Sequence, residues 1–374
     1  LYGCEGACFP LSADAWGRVT PEAYGWSVWT GAGAWLAQHM WWHYEYGQDI
    51  EFLRKRAYPF LKDVALFYES YLTEDDKGIL QVIPSQSPEN RFVGSGELPV
   101  SIGVSSAMDI ELVMETIFHC IRASELLDID AHKREVWGNI LNRLQKLQIG
   151  SGGQLLEWNE EFIEAEPGHR HVSHLFGLYP GELISGQRTP ELYEAAKIAL
   201  KRRLSAGGGH TGWSRAWTSC LFARLGEGNK SLEHLAALMK DFSTVSLLDL
   251  IEANHPWLFQ IDGNLGGAAA VIEMIFQSYF EELDFLPALP EVWPEGKICG
   301  LRARGGFTVN LSWQNGKLLQ AEVIPSSDRK CLIRKKFGQY EIKDNHGDYI
   351  QYKEVGVNIS FNAKSGCIYL IKPI

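Results

Sequence analysis

Asp262 and Asn264 stand in the stretch Gln260–Gly267, where their side chains could act on a bound molecule. An aromatic-rich run precedes this stretch, and an apolar run predicted to be helical, residues 268–276, follows it. Glycine at position 263 lets the backbone turn sharply or lets a ligand approach closely. Asp and Asn are also common caps at helix starts. Taken alone, the stretch therefore predicts a capped helix, and Asp262 gains a chemical role only from groups elsewhere in the chain.

A second carboxyl group, that of Glu89, lies in the run Pro84–Arg91. Pro84 and Pro88 restrict the backbone on its approach. Most loop glutamates are simply solvated, but the two prolines, with Arg91 two positions further on, favour a carboxyl group that is held in place.

Three histidines and one arginine fall within the six residues His169–His174. No Asp, Glu or Cys stands at a recognised metal-site spacing beside them, so metal binding is not favoured. Two interpretations remain. The histidines could hydrogen-bond to the backbone of a polar loop, or they could donate to the hydroxyl groups of a sugar.

Another predicted helix begins with two tryptophans and an arginine. Trp213 and Trp217 are four residues apart and share a helix face, whereas Arg215 points elsewhere. A packed core explains one Trp well, but it explains Gly-Trp-Ser-Arg at a helix start less well. Glu5 stands in a glycine-rich run, which by itself is uninformative.

Two carboxyl groups on separate loops, with His, Arg and Trp side chains, are typical of glycoside hydrolysis. One carboxylic acid protonates the leaving oxygen, and the other carboxylate activates a water on the opposite face of the sugar. We therefore predict that Glu89 and Asp262 face each other, roughly 6.5–9.5 Å apart for an inverting enzyme. Neither a Ser-His-Asp order nor a G-x-S-x-G turn is present to indicate acyl transfer.

The composition of the chain bears on its partners. The 374 residues carry a formal net charge of -11, which argues against nucleic acid or an anionic membrane, because both are bound by basic patches. No apolar run approaches the roughly 20 residues of a membrane span. The aromatic fraction is 12%, and clustered rings beside polar residues suit sugar binding. Cys4 and Cys8 lack the second ligand pair of a zinc site, so no metal or cofactor is predicted.

Helical periodicity covers most of the chain up to residue 282. Apolar residues recur at three- and four-residue spacing in segments predicted as helices, at 26–46, 49–72, 108–127, 131–147, 191–204, 213–225, 231–239 and 267–280. Irregular stretches at 73–105 and 148–188 interrupt the series, and loops of this length are usually functional. Successive helical hairpins with long loops on one side predict an (α/α) toroid with a loop-lined funnel.

A change of character at Leu286–Pro290 marks a second domain. Beyond it apolar and polar residues alternate, and Asn315-Gly316 between two alternating runs is a strong hairpin signal. Strands are predicted at 307–313, 318–323, 331–335, 339–343, 349–353 and 367–372. The chain is therefore predicted to be mostly α, with a helical domain at 1–284 and a small antiparallel, sandwich-like β domain at 285–374.

Five long motifs, in one order, resemble glycoside hydrolase family 95, the inverting α-1,2-L-fucosidases. They are SPENRF (87–92), PGHRHVSHLFGLYPG (167–181), GWSRAW (212–217), QIDGNLGG (260–267) and LPALPEVWPEGKICGLRARGGF (286–307). Residues 34–61 are also similar to that family. Because the motifs span nearly the whole chain, the resemblance is specific. It implies an (α/α)6 toroid catalytic domain, incomplete here because its N-terminal helices are missing, followed by a C-terminal β domain.

The resemblance also implies roles for single residues. Glu89 corresponds to the general acid, and Asp262 to the carboxylate that drives activation of water through asparagine side chains located upstream of this chain. The predicted substrate contacts combine the family's sugar-binding positions with side chains from the motifs above, namely Glu5, Arg170, His171 and His255 with Trp213, Arg215 and Asn264.

The resemblance implies a fucosylated glycan as substrate, with L-galactosides as the alternative, and a secreted or periplasmic location. Whether the chain is active without the upstream asparagine motif stays open. Two other functions also stay open. An (α/α)-barrel sugar epimerase or isomerase would use the histidines of 169–174 as acid and base. A degenerate, non-catalytic carbohydrate-binding fragment would bind fucosides without turnover.

Overall fold

The structure is a computed structural model of the chain, and it describes residues 2–19, 28–96, 98–253 and 258–374. These residues separate into two compact units. The first comprises residues up to Tyr44 together with Asp49–His210, and the second comprises Glu45–Gln48 together with Thr211–Ile374. No helix in these ranges is long and apolar enough to cross a membrane. His255, a predicted substrate contact, lies outside the described residues.

Nine α-helices occur in the described residues, close to where the periodicity predicts them. They are α1 (Ala32–Gly47), α2 (Ile50–Phe52), α3 (Tyr58–Tyr71), α4 (Ala107–Leu127), α5 (Ala131–Arg143), α6 (Pro190–Ser205), α7 (Gly212–Arg224), α8 (Gly228–Asp241) and α9 (Ile261–Ile275). A π-helical turn, Leu53–Ala57, joins α2 to α3, so the predicted helix at 49–72 is continuous but not regular. Asp49 caps it by accepting hydrogen bonds from the N–H groups of Glu51 and Phe52.

Helix α9 begins earlier than predicted. Its N-cap is Gln260, and both Asp262 and Asn264 lie inside the helix. The interpretation of Asp262 and Asn264 as caps is therefore wrong. Glycine disfavours helix interiors, but close packing outweighs that propensity here, since Gly263 and Gly267 lie directly against side chains of neighbouring segments.

In the first unit, α3, α4 and α5 pack against one another. Their core includes the fully buried side chains of Tyr68, Trp137 and Phe176. Two small sheets tie the loops together: β1 (Thr73–Glu74) pairs with β2 (Leu80–Gln81), and β3 (Phe92–Val93) pairs with β4 (Ile163–Glu164). The β3–β4 pair links the two long irregular stretches, which brings the chain near Glu89 to the chain near His169.

In the second unit, α7, α8 and α9 pack together, and two five-stranded sheets follow. The strands are β5 (Phe276–Gln277), β6 (Glu282–Phe285), β7 (Gly296–Ala303), β8 (Phe307–Gln314), β9 (Lys317–Pro325), β10 (Arg329–Arg334), β11 (Tyr340–Lys343), β12 (Lys353–Val355), β13 (Asn358–Ala363) and β14 (Tyr369–Pro373). One sheet has the order β12-β13-β10-β6-β5 and the other β11-β14-β9-β8-β7. All neighbouring strands are antiparallel except β10 and β6.

Some predictions for the β region are confirmed and others are wrong. Asn315 and Gly316 have φ values of 53° and 70° and connect β8 to β9, as the hairpin signal predicts. Strand β6 was not predicted, because all four of its residues are buried and alternation needs one solvated face. The predicted strand at 349–353 is wrong for most of its length, since Tyr349 forms only an isolated bridge and β12 begins at Lys353.

A mostly helical part followed by an antiparallel-rich β domain is the predicted fold class, and it is confirmed. Strands β5 and β6 begin before residue 285 yet belong to the first of the two five-stranded sheets. The exact domain boundary at 285 stays a prediction.

Candidate active site

Glu89 is a partly exposed residue between buried neighbours. Its side chain is 20% exposed, whereas Ser87 and Asn90 are 0% and 1% exposed. The Ser87 hydroxyl donates to Oε1 of Glu157 at 2.7 Å, and the Asn90 amide donates to Oε2 of the same carboxylate at 3.0 Å. Buried polar contacts therefore hold the residues on either side of Glu89, which agrees with the prediction of a held carboxyl group.

The start of the same loop is bound to Asp109 of α4. The Ser85 hydroxyl donates to Oδ2 of Asp109 at 2.6 Å, and the indole N–H of Trp29 donates to Oδ1 at 2.9 Å. Complete burial raises the pKa of Asp109 to about 6, because these hydrogen bonds only partly offset the loss of water. Two buried carboxyl groups, Asp109 and Glu157, thus fix the loop that carries Glu89.

Arg170 and His171 face the Glu89 carboxylate. The Arg170 guanidinium forms an ion pair with it, and Nε2 of His171 lies 3.5 Å from the same oxygen. Burial, reinforced by His169 and Arg170, holds the pKa of His171 well below its usual range, so the ring is neutral at neutral pH. The structure thus brings three predicted site residues together, and the cation and the neutral ring can both hydrogen-bond to sugar hydroxyl groups.

The other two histidines of this segment are buried. His169 and His174 are each 3% exposed, and burial lowers the pKa of each to about 4. Nδ1 of His169 accepts a hydrogen bond from the N–H of His171 at 3.0 Å. Nδ1 of His174 lies 3.9 Å from Glu157. These two rings therefore support the loop, and the interpretation of backbone-bonded histidines holds for His169.

The sequence analysis missed a buried ion pair next to this loop. Glu157 and Arg203 of α6 each have side chains that are 3% exposed, and Nη2 of Arg203 lies 2.6 Å from Oε2 of Glu157. Burial alone would raise the pKa of Glu157, but Arg203 and the hydrogen-bond donors outweigh it and lower that pKa to about 2. A signal was present, because the buried stripe of α6 through Ala196 and Leu200 continues to Arg203. A charged residue on such a stripe predicts a buried partner.

In the second unit, Asp262 is exposed and lies in the first turn of α9. Asp249 is 1% exposed, and it is close enough to Asp262 for that charge to raise its pKa. A side chain added at Gly263 would overlap the Asp249 carboxyl group, and so would one at Gly212, the first residue of α7. The Asp249 carboxyl group therefore occupies the space next to Gly263 in which a ligand was predicted to approach. This carboxyl group lies against the starts of two helices.

Asp249 is a second residue that the sequence analysis missed. Burial raises its pKa to about 6, the charge of Asp262 adds to the rise, and the backbone N–H groups of Leu250 and Gly263 oppose it. Within the described ranges, neither carboxyl oxygen of Asp249 has a hydrogen bond of normal geometry. No local pattern marks Asp249, since its contacts lie in helix starts that precede and follow it in the chain.

Asn264 uses its side chain to hold the backbone. Its Oδ1 accepts from the N–H of Asp249 at 3.0 Å, and its Nδ2 donates to the carbonyl of Leu247 at 2.6 Å. The amide thus fastens the segment that carries Asp249 to helix α9. The predicted contact between Asn264 and substrate stays a prediction.

The residues predicted on α7 have partners in the second unit. Nη1 of Arg215 lies 3.0 Å from Nδ1 of His234 on α8. Burial and then the Arg215 charge lower the pKa of His234 to about 4. The rings of Trp213 and Trp217 are 5.8 Å apart, on one helix face as predicted, while Arg215 points elsewhere.

Glu5 is exposed in the first unit, and its backbone N–H donates to the hydroxyl of Ser70 on α3 at 3.0 Å. Glu89 with Arg170 and His171 belongs to the first unit, and Asp262 belongs to the second. The predicted separation of the two carboxyl groups therefore stays a prediction.

Two family models match the chain. The model described as glycosyl hydrolase family 95 catalytic domain matches residues 1–275. The model described as glycoside hydrolase family 95, C-terminal domain, matches residues 277–371. Together they account for nearly the whole chain.

Named relatives agree with these models. The chain is 38% identical over 334 residues to alpha-L-fucosidase 2 of Arabidopsis thaliana, covering 85% of this chain and 39% of that protein. It is 29% identical over 315 residues to probable alpha-fucosidase A of Aspergillus niger, covering 79% of this chain and again 39% of that protein. The chain thus spans about two fifths of the length of these relatives.

A solved structure, a putative kojibiose phosphorylase from human microbiome, superposes with a TM-score of 0.55 at 8% identity, covering 97% of this chain and 54% of the other. At that identity the likeness concerns the fold alone. The two matching family models, which meet where the helices give way to the sheets, show that the chain belongs to glycoside hydrolase family 95.

Proposed function

We propose that the full-length protein is an exo-acting glycoside hydrolase that releases terminal α-linked L-fucose, or L-galactose, from glycans with inversion at the anomeric carbon. The observation that carries the proposal is the Glu89 site. A carboxyl group on a clamped loop stands beside Arg170 and His171, in a chain that belongs to family 95. The fucosidase names of the relatives support a fucoside as substrate.

Glu89 acts as the general acid in this proposal. It transfers its proton to the glycosidic oxygen as the bond from that oxygen to the anomeric carbon breaks. Once Glu89 carries the proton, the Arg170 guanidinium is free to donate to a hydroxyl group of the sugar. The neutral ring of His171 can donate or accept at the same end of the substrate.

Asp262 acts on the base side. A water molecule attacks the anomeric carbon from the face opposite the leaving group, and its proton passes to the base. The exposed position of Asp262 in the first turn of α9 leaves its carboxylate open to solvent. For the full-length protein we expect a separation of the two carboxyl groups toward the upper end of roughly 6.5–9.5 Å, because the family resemblance implies that asparagine side chains relay the activation.

The remaining predicted contacts complete the sugar site. Trp213 offers a flat apolar ring, and Glu5, Arg215, His255 and Asn264 offer polar groups. Their contribution is tested by single alanine substitutions scored on KM. A contact made equally in the ground state and the transition state raises KM and leaves kcat unchanged.

The anomer released first tests the mechanism. The full-length gene product is incubated with an α-1,2-linked fucosyl disaccharide in an NMR tube, and the first free sugar is observed before it mutarotates. We expect β-L-fucose. Release of α-L-fucose would refute inversion, and the absence of hydrolysis with tight binding of the fucoside would indicate a binding module instead.

The epimerase alternative is tested with free sugars. It would need histidines as acid and base, but His169 and His174 are buried and have structural partners. We expect no epimer from L-fucose or L-galactose. Epimer formation without turnover of fucosides would overturn the hydrolase proposal.

A further inference from the structure

We propose that the buried ion pair between Glu157 and Arg203 is a positioning device for Glu89, one that holds both the acid and the residues that face it. The inference rests on the proposed role of Glu89 as general acid. Neither Glu157 nor Arg203 is assigned contact with the substrate, so both are positioning residues.

Glu157 holds the acid from both sides along the chain. It accepts from Ser87, two residues before Glu89, at 2.7 Å, and from Asn90, the residue after it, at 3.0 Å. Because the Glu157 side chain is 3% exposed, water has little access to these bonds. The backbone of Glu89 is therefore fixed on each side by one and the same carboxylate.

Arg203 holds the segment whose residues face Glu89. Its Nη1 donates to the backbone carbonyl of His171 at 2.6 Å, while its Nη2 lies 2.6 Å from Glu157. His171 and its neighbour Arg170 are the residues that face the Glu89 carboxylate. A single guanidinium thus joins the acid loop to the loop of its partners.

A further bond closes the same arrangement. The Ser173 hydroxyl donates to the carbonyl of Pro88, so the two loops are also bonded directly, next to Glu89. Their separation is consequently set at two places, once through the ion pair and once through this hydroxyl group.

Stability alone does not account for such a pair. A buried ion pair is often no more stabilising than apolar side chains of the same volume, because both charges lose their water. This ion pair instead fixes geometry, because particular atoms of Glu157 and Arg203 bond to three groups in the loops. These groups are the Ser87 hydroxyl, the Asn90 amide and the His171 carbonyl. Catalysis needs such accuracy, because a misplacement of about 1 Å can cost roughly 100-fold in rate.

The change Glu157→Gln tests the inference. It keeps the shape of the side chain and removes the charge, so among the described residues Glu164, at 2.9 Å, is the carboxylate that still faces Arg203. If Glu89 is thereby misplaced, substrates that need protonation should suffer most. The assay compares kcat/KM of the full-length protein on an α-1,2-linked fucosyl disaccharide with kcat/KM on α-L-fucosyl fluoride, whose leaving group needs little protonation.

For Glu157→Gln we expect a loss of roughly 10- to 100-fold on the disaccharide and a loss at least about ten times smaller on the fluoride. The matched control is Glu273→Gln, which breaks a partly buried pair, that of Glu273 with Arg224 at 2.7 Å. Its losses should be equal on the two substrates. Equal losses for Glu157→Gln as well would overturn the inference.

A second variant decides the matter if Glu157→Gln does not fold. Ser87→Ala combined with Asn90→Ala removes the two hydrogen bonds from the loop to Glu157 and leaves the ion pair intact. We expect the same selective loss on the disaccharide, and equal losses would again overturn the inference. Glu89→Gln is measured alongside. If it lacks the selective loss, the acid role itself is wrong, whereas selective loss in Glu89→Gln alone rejects only the positioning role.

Discussion

The stability of the fold should depend on pH through the buried carboxylate of Glu157, and Glu157→Gln should remove that dependence. The interactions of this group, foremost the pair with Arg203, lower its pKa from the ordinary 4.5 to about 2 although burial opposes the change. A carboxylate with a lowered pKa stabilises the fold above the pKa that it has in the unfolded chain. This stabilisation is lost as the pH falls through the folded-state pKa, that is, between about pH 5 and about pH 2.

The magnitude follows from the difference between the two pKa values. A tenfold change in an ionisation constant equals about 1.4 kcal/mol, so Glu157 should contribute about 3 kcal/mol to the free energy of unfolding at neutral pH. Because its side chain is 3% exposed, water screens the interaction little. Glu164 still faces Arg203 in the variant, so the guanidinium keeps one carboxylate partner.

Urea unfolding of the wild type and of Glu157→Gln, followed by circular dichroism at several pH values, measures the contribution. We expect the variant to be less stable by about 3 kcal/mol near pH 7 and the gap to narrow steadily toward pH 2. Asp109→Asn is the control of opposite sign. Burial raises the pKa of Asp109 to about 6, so this group stabilises the fold below its unfolded-state pKa and loses that effect as the pH rises through about 6.

The stability of Asp109→Asn relative to the wild type should therefore improve as the pH rises, while that of Glu157→Gln worsens. A stability difference between the wild type and Glu157→Gln that stays constant from pH 7 to pH 2 would refute the reasoning. The negative charge of Glu157 would then contribute nothing to the free energy of unfolding. A gap that widens in acid would refute it as well.

The remaining predictions concern the acid, the base side and the glycine at the start of α9. In the full-length protein, Glu89→Gln should lower kcat/KM on a fucosyl disaccharide by about 10²–10⁴-fold and on fucosyl fluoride much less, and equal losses would contradict the acid role. Asp262→Asn should leave the melting temperature nearly unchanged, since Asp262 is not the cap of α9, but should reduce turnover of both substrates by similar, large factors of about 10²–10⁴; an active variant would end the base assignment. Gly263→Ala should lower stability by about 1–3 kcal/mol in thermal unfolding, because its methyl group overlaps Asp249. Gly138→Ala, in α5 with open space around it, should instead raise stability by about 0.5–1 kcal/mol, and equal effects would contradict the packing argument.

Sequence patterns predicted the parts of this protein that depend on neighbours in the chain. Helical periodicity places α4 and α7 to within a few residues, and Asn315-Gly316 forms the predicted turn with both residues at positive φ. In each case the controlling interactions lie within a few positions along the chain, where residue spacing reports them directly.

The tertiary structure alone decided what holds these residues in place. Ser87 and Glu157 are 70 positions apart, and Arg203 is a further 46 from Glu157, so no local pattern could join them. The same reason explains Gly263, whose open side, predicted to admit a ligand, is occupied by the carboxyl group of Asp249. Spacing along the chain shows which residues are suited to chemistry, but only folding brings distant charges into one low-dielectric interior. There their mutual attraction outweighs the loss of water for Glu157, while for Asp249 the loss of water prevails.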